Sequence, residues 1–177
     1  MARPSFHPLR VGDVRRETDD TVSVAFDIPA ELSEEFRFSP GQFLTFRVSD
    51  AHGDPVRRSY SICSGLDDGE LRVAVKRLES GVFGVLANDS LKLGDTVEVL
   101  APLGRFTTSM DADRAASYLM VAAGSGITPM MSLMRSILSR QPGSRITLLY
   151  GNRGPSSIIF RDALHDLKDL YLQRFKV

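Results

Sequence analysis

The segment Ser117–Met130 reads SYLMVAAGSGITPM. Its first eight residues carry almost no polar side chain, the pattern of a strand buried on both faces. Gly124 and Gly126 follow, and then Thr128 reads as a helix N-cap with Pro129 at the first helical position, where a missing N–H costs nothing. Strand, glycine turn and helix, in that order, form the setting of a nucleotide-binding loop. Glycine lets backbone approach a ligand, and a helix N-terminus favours phosphate. A tight turn that needs glycine for steric reasons alone would read the same way.

Downstream, Met130, Leu133, Met134, Ile137 and Leu138 recur at helical spacing, with Ser132, Arg135, Ser136 and Ser139 opposite. Gly143 ends this helix, and RITLLYG (Arg145–Gly151) reads as a second buried strand. Phe160–Tyr171 predicts a helix with Phe160, Ala163, Leu164, Leu167 and Tyr171 inward, and QRFKV starts a third strand. Strand–helix–strand–helix is a parallel doubly wound pattern. Such a domain usually needs roughly 100 residues, and only about 60 follow Ser117, so residues 112–177 predict the first, incomplete part of a nucleotide-binding α/β domain.

Upstream the pattern differs. TVSVAFDI (Thr21–Ile28), GQFLTFRV (Gly41–Val48), RRSYSICS (Arg57–Ser64), ELRVAVKRL (Glu70–Leu78) and DTVEVLAP (Asp95–Pro102) are short strands. Turn signals part them at Pro40-Gly41, His52-Gly53-Asp54, Asp67-Asp68-Gly69 and Leu93-Gly94-Asp95. About six such strands predict a small antiparallel barrel over residues 1–111. Gly81–Leu91 alone has the pattern of a short helix or loop.

Composition narrows the function. With 22 basic and 22 acidic residues the net charge is zero, so no global field draws nucleic acid or an anionic membrane. Apolar runs are too short to span a bilayer, and MARPSFHPLRV has no signal-peptide core. One cysteine, Cys63, and three scattered histidines leave no metal-ligand spacing, and a reducing, cytoplasmic setting fits. Cys63, flanked by apolar residues, reads as a buried inert thiol, and His165 as a surface residue.

The stretch Arg58-Ser59-Tyr60-Ser61 is too polar for an ordinary barrel strand. Arginine can fork onto phosphate, tyrosine can lie against a flat heterocycle, and serine can donate to a ring atom. Strand alternation puts Arg58 and Tyr60 on one face and the serines on the other. A solvated edge strand is the plain alternative.

The succession RRSYSICS, VAVKRLESGVFG, PLGRF and AAGSGITPM resembles the ferredoxin–NADP reductase superfamily, and within it the phenylacetyl-CoA epoxidase-type reductases. The resemblance implies a six-stranded antiparallel Greek-key barrel that holds FAD, followed by a parallel NAD(P)-binding domain. It implies that Arg58 pairs with the flavin phosphate, Tyr60 lies against the isoalloxazine, and Ser61 bonds near its reactive nitrogen. Val75 and Lys76 match positions that meet the ribityl and diphosphate through backbone. Gly81, Val82 and Phe83 match the turn that cradles the diphosphate, where Gly84 replaces the family's usual serine or threonine. Gly124, Ser125, Gly126, Thr128 and Pro129 match the pyridine-nucleotide loop, with Thr128 near the nicotinamide–flavin contact. Ser61 and Thr128 would tune the reaction.

In such folds the adenosine ribose lies after the second strand, here Tyr150–Arg153 (YGNR). Arg153, with Ser157 and Arg161, would welcome the 2′-phosphate of NADP, where an acidic residue would favour NADH; a solvated loop arginine would read the same way. The resemblance further implies electron transfer from NADPH through FAD to a ferredoxin-like iron–sulfur centre and an oxygenase component. A barrel that holds flavin or nucleotide without turning it over would carry the same strand, and so would a flavodoxin or flavin reductase of the same superfamily.

Overall fold

Period-two alternation becomes an antiparallel sheet in the computed structural model, which describes residues 5–177. The reading of the N-terminal stretch and the start of the first domain at Met1 fall partly outside the described residues. The six strands are β1 (Phe6–Thr18), β2 (Thr21–Asp27), β3 (Phe43–Ser49), β4 (Pro55–Ser61), β5 (Leu71–Lys76) and β6 (Thr96–Leu103). They lie in the order β4-β3-β6-β1-β2-β5, every pair antiparallel. The long first strand β1, which the five strand-like stretches of the sequence did not include, pairs with both β2 and β6.

The sheet curls until its two edges meet at one bridge, Ile62 to Val73, reinforced by the Cys63 amide donating to the Arg72 carbonyl. Val22, Val24 and Phe26 point into the barrel as their alternation predicts, beside Leu9, Leu44, Phe46, Val73 and Val99. The opposite face of β2 is buried as well, with Ser23 fully enclosed. The guanidinium of Arg72 covers it, donating to Ser23, Glu70 and Asp13. Burial opposes the charge on Arg72, but Glu70 and Asp13 outweigh it and raise its pKa. Beneath this network Cys63 is buried and free, and desolvation drives its thiol pKa up, away from reactivity.

Gly81–Leu91 resolves into a helix, α1 (Val82–Asp89). The second unit follows: β7 (Ser117–Ala123), α2 (Ile127–Arg140), β8 (Arg145–Gly151), α3 (Arg161–Leu170) and β9 (Phe175–Lys176). Its three strands are parallel in the order β7-β8-β9, with the core between the sheet and the two helices. His165 is exposed on α3. No helix among the described residues is long and apolar enough to cross a membrane.

Three local expectations are corrected. β7 and β8 are buried on one face only: Met120, Ala122, Ile146 and Leu148 are covered, whereas Leu119, Val121 and Leu149 are exposed, because both helices pack on the same side. Helix α2 begins at Ile127, so Thr128 is inside its first turn and donates to the Ser125 carbonyl at 2.9 Å instead of capping. Pro129 is accordingly third in the helix, still before any backbone donor is required.

The third correction shapes the molecule. Ser132 and Ser136, opposite the apolar stripe, are both 0% exposed. The Ser132 hydroxyl donates to the Ser64 carbonyl at 2.7 Å, and the Leu66 amide donates to Ser136 at 3.1 Å. Arg135 pairs with Asp68, while Ser139 and Arg140 both donate to Asp67. The polar face of α2 is therefore the joint between the two units. Replacing Ser132 by alanine leaves the Ser64 carbonyl buried without its donor, an expected loss of about 1–3 kcal/mol, measurable by urea unfolding.

The acid response of this joint has a definite sign. Hydrogen bonds from Arg140 and Ser139 depress the Asp67 carboxyl to about 2. Its contribution is present above the unfolded-state value near 3.8 and fades as pH falls through about 2. Between those limits, unfolding of an Asp67→Asn variant is expected to depend less steeply on pH than that of the parent.

Candidate functional site

Beyond the Ile62–Val73 bridge, β4 and β5 part, and the turn that opens α2 faces the gap. The cleft so formed has a volume of about 350 Å3. From the barrel it is lined by Ser59, Tyr60, Ser61, Ala74, Lys76 and Leu78, and from the second unit by Ser125, Gly126, Thr128 and Pro129. A second hollow of about 490 Å3 is lined by Lys76, Ala123, Gly124, Ser125, Gly151, Asn152, Arg153 and Ser157. Lys76 and Ser125 border both, so the two adjoin. Larger hollows lie on the barrel flanks, but they bring together none of the predicted residues.

Tyr60 stands opposite Leu44 on the inner barrel face. Its ring rests on Phe46 and Phe83, 6.0 and 5.4 Å between centroids, and those two rings stack at 4.7 Å. Burial raises the phenol pKa, countered by the charge of Arg58, so the hydroxyl stays neutral at ordinary pH. One side of the ring is thus fixed by the core while the residue borders the cleft. The Ser59 hydroxyl is paired with Thr45 at 2.8 Å. Lys76 is held by Asp20 at 3.1 Å.

Other predicted residues lie outside the cleft. Arg58 is exposed, and its guanidinium donates to the Arg57 carbonyl. Val75 and Phe83 are fully buried, with their side chains in the barrel core. Gly81 caps α1 and donates to the carbonyl of Leu78, which itself lines the cleft. Behind it the first-turn amides of Val82, Phe83 and Gly84 have no helical acceptor, as at any helix start. A Cβ on Gly84 would stand 3.0 Å from the Lys76 carbonyl oxygen, a tight fit for the hydroxyl residue that was expected there.

Arg153 borders the second hollow, and Arg161 does not. Beside Arg153, the buried Asn152 Oδ1 has no hydrogen-bond partner. Tyr150 donates to the Gly124 carbonyl at 2.9 Å and so ties β8 to the glycine turn. Leu78 had no assigned part in the sequence reading, and Ser59, Tyr150 and Asn152 had none beyond membership of the Arg58–Ser61 and Tyr150–Arg153 stretches. The position of Tyr150 and Asn152 at the end of a strand was the available signal. Leu78, an exposed leucine in a polar loop, offered none.

These features suit a flat cofactor: a supported aromatic ring, an unpartnered carbonyl oxygen beside the second hollow and a glycine turn with free space above it. Residues 8–108 match the oxidoreductase FAD-binding domain family, and residues 120–177 match the oxidoreductase NAD-binding domain family. The chain belongs to the ferredoxin–NADP reductase family. It is 46% identical to a component of the 1,2-phenylacetyl-CoA epoxidase of Escherichia coli (strain K12), over 98% of this chain and 48% of that protein. It is 41% identical to the ferredoxin reductase component of 3-ketosteroid-9-alpha-monooxygenase from Mycobacterium tuberculosis, over 96% and 48%. The chain thus spans about half the length of these curated relatives.

Among solved structures, the FAD/NAD binding domain of nitric oxide dioxygenase from Vibrio cholerae superposes with a TM-score of 0.83 at 23% identity, over 98% of this chain and 73% of that one. A Neisseria gonorrhoeae ferredoxin NADP+ reductase with bound FAD and NADP gives 0.76 at 24%, over 98% and 67%. At such identity the likeness is one of fold. It agrees with the expected six-stranded antiparallel barrel followed by a parallel α/β unit.

The two glycines of the turn serve different ends. Gly124 has φ +49°, so alanine there is strained although nothing crowds its Cβ position. Gly126 has φ −62° and open space around its Cβ position, which lies beside the cleft. Gly124→Ala is expected to cost about 1–2 kcal/mol of stability, and Gly126→Ala to stay within about 0.5 kcal/mol while narrowing the cleft. Paired thermal unfolding curves check this.

Proposed function

We propose that this chain is the flavin- and pyridine-nucleotide-binding module of a reductase that moves electrons from NADPH through FAD toward an iron–sulfur centre and an oxygenase component. One observation carries the reading: the Tyr60–Ser61 end of β4 and the Ser125–Pro129 turn line a single cleft. The chemistry FAD supplies there is acceptance of a hydride from the nicotinamide and release of electrons one at a time.

The chain's own residues bind and orient. Tyr60, supported from behind by Phe46 and Phe83, offers a fixed aromatic surface to a flat ring. The Ser61 hydroxyl stands at the cleft wall, free to donate to a ring atom. Thr128, its own proton committed to the Ser125 carbonyl, presents a hydroxyl oxygen as acceptor on the facing wall. Lys76 and the first-turn amides of α1 supply positive potential for a diphosphate. Arg58, at the barrel rim, reaches a phosphate by changing rotamer, because its present bond is only to its neighbour's carbonyl. Gly124, Gly126 and Pro129 keep the turn open. We place the protein in a reducing cytoplasm, where the lone buried Cys63 needs no partner.

Arg153 has no carboxylate partner among the described residues and borders the hollow next to Gly124 and Ser125. On this basis NADPH is preferred to NADH. The purified chain, incubated with FAD and freed of excess, is expected to show a flavin absorption band that bleaches on anaerobic addition of NADPH. A band that persists makes the chain a flavin holder, and a colourless protein refutes the assignment. Arg153→Ala is expected to weaken NADPH binding about ten-fold, leaving NADH within about two-fold. Equilibrium titration of both nucleotides checks this.

A further inference from the structure

Asn88 lies in the last turn of α1, buried, and lines neither cleft. Both hydrogens of its side-chain amide are committed: Nδ2 donates to the Val75 carbonyl at 3.0 Å and to the Gly84 carbonyl at 2.9 Å. Its Oδ1 accepts from Arg16 Nη1 at 3.1 Å, and its backbone carbonyl accepts from Arg16 Nη2 at 3.0 Å. Arg16 belongs to β1, across from Val22. One side chain therefore ties the end of β5, the first turn of α1 and β1 together.

What it ties is specific. Val75 precedes Lys76, which borders both hollows, and Gly84 belongs to the turn whose amides lack helical acceptors. The fit between them is tight, since a single added carbon at Gly84 would press on the Lys76 carbonyl. Glycine at this position offers no side-chain donor, so the first turn of α1 can present only backbone amides. Backbone amides bind an anion well only when their direction is held.

From this we infer that Asn88, braced by Arg16, is a positioning residue for phosphate: it sets the α1 amides and Lys76 in register for the phosphate groups of the flavin nucleotide. The inference rests on the reading of the cleft as a flavin site. Asn88 touches no ligand itself and acts through Gly84 and Val75.

The test compares riboflavin, FMN and FAD, which share a ring but differ in phosphate, by fluorescence titration of the full chain. Asn88→Ala is expected to raise Kd for FMN and FAD about ten-fold and to leave riboflavin within about two-fold. Arg16→Ala, which spares Asn88 and loosens it, is expected to shift the same two ligands in the same direction by less, and covers the case in which Asn88→Ala does not fold. Equal weakening of all three flavins, or none, in a folded variant overturns the inference and leaves the flavin reading intact. A parent chain that binds none of the three overturns both.

Discussion

The docking of α2 on the turn between β4 and β5 is the contact on which the rest depends. That turn continues directly from Tyr60 and Ser61, and the first turn of the helix carries Thr128 and Pro129, so one joint sets the distance between the two walls of the cleft. The joint is polar and largely dry. Ser132 and Ser136 hydrogen-bond to backbone with no exposure to solvent, and Asp67 and Asp68 grip Arg140 and Arg135 at the rim. Each exposed ion pair stabilises little alone. The buried serine bonds matter more, because breaking one strands a desolvated backbone group, the Ser64 carbonyl or the Leu66 amide.

A similar economy holds the barrel. The sheet does not close along its whole length, and among the described residues only Ile62 and Val73 bridge its edges. Arg72, directly beside that bridge, ties β5 to β2 and β1 through Ser23 and Asp13, while its backbone meets Cys63 and Ser64 across the gap. The open remainder leaves β4 with a free edge toward the cleft. Closing the barrel fully would remove the gap that α2 faces, so incomplete closure and the presence of a site are one structural fact.

The second sheet shows how local pattern and burial can separate. Apolar residues alternate around β7 with no polar face, yet Leu119 and Val121 are exposed, since α2 and α3 cover only one side. Hydrophobicity records what a residue tolerates, and packing partners decide what it meets.

Strand alternation, turn residues and helical spacing were enough to mark a small barrel followed by a parallel unit, and order of motifs was enough to mark the family, because these are properties of adjacent residues. The Arg58–Ser61 strand and the Gly124–Pro129 turn could be singled out by the same local logic. Sequence could not reveal that Ser132 and Ser136 are buried, that Tyr150 anchors the glycine turn, or that Asn88 braces a turn next to Lys76. Each of those depends on partners 13 to 72 residues away. A polar side chain looks alike in a sequence whether water or a distant carbonyl completes its hydrogen bonds. Only the folded chain decides which.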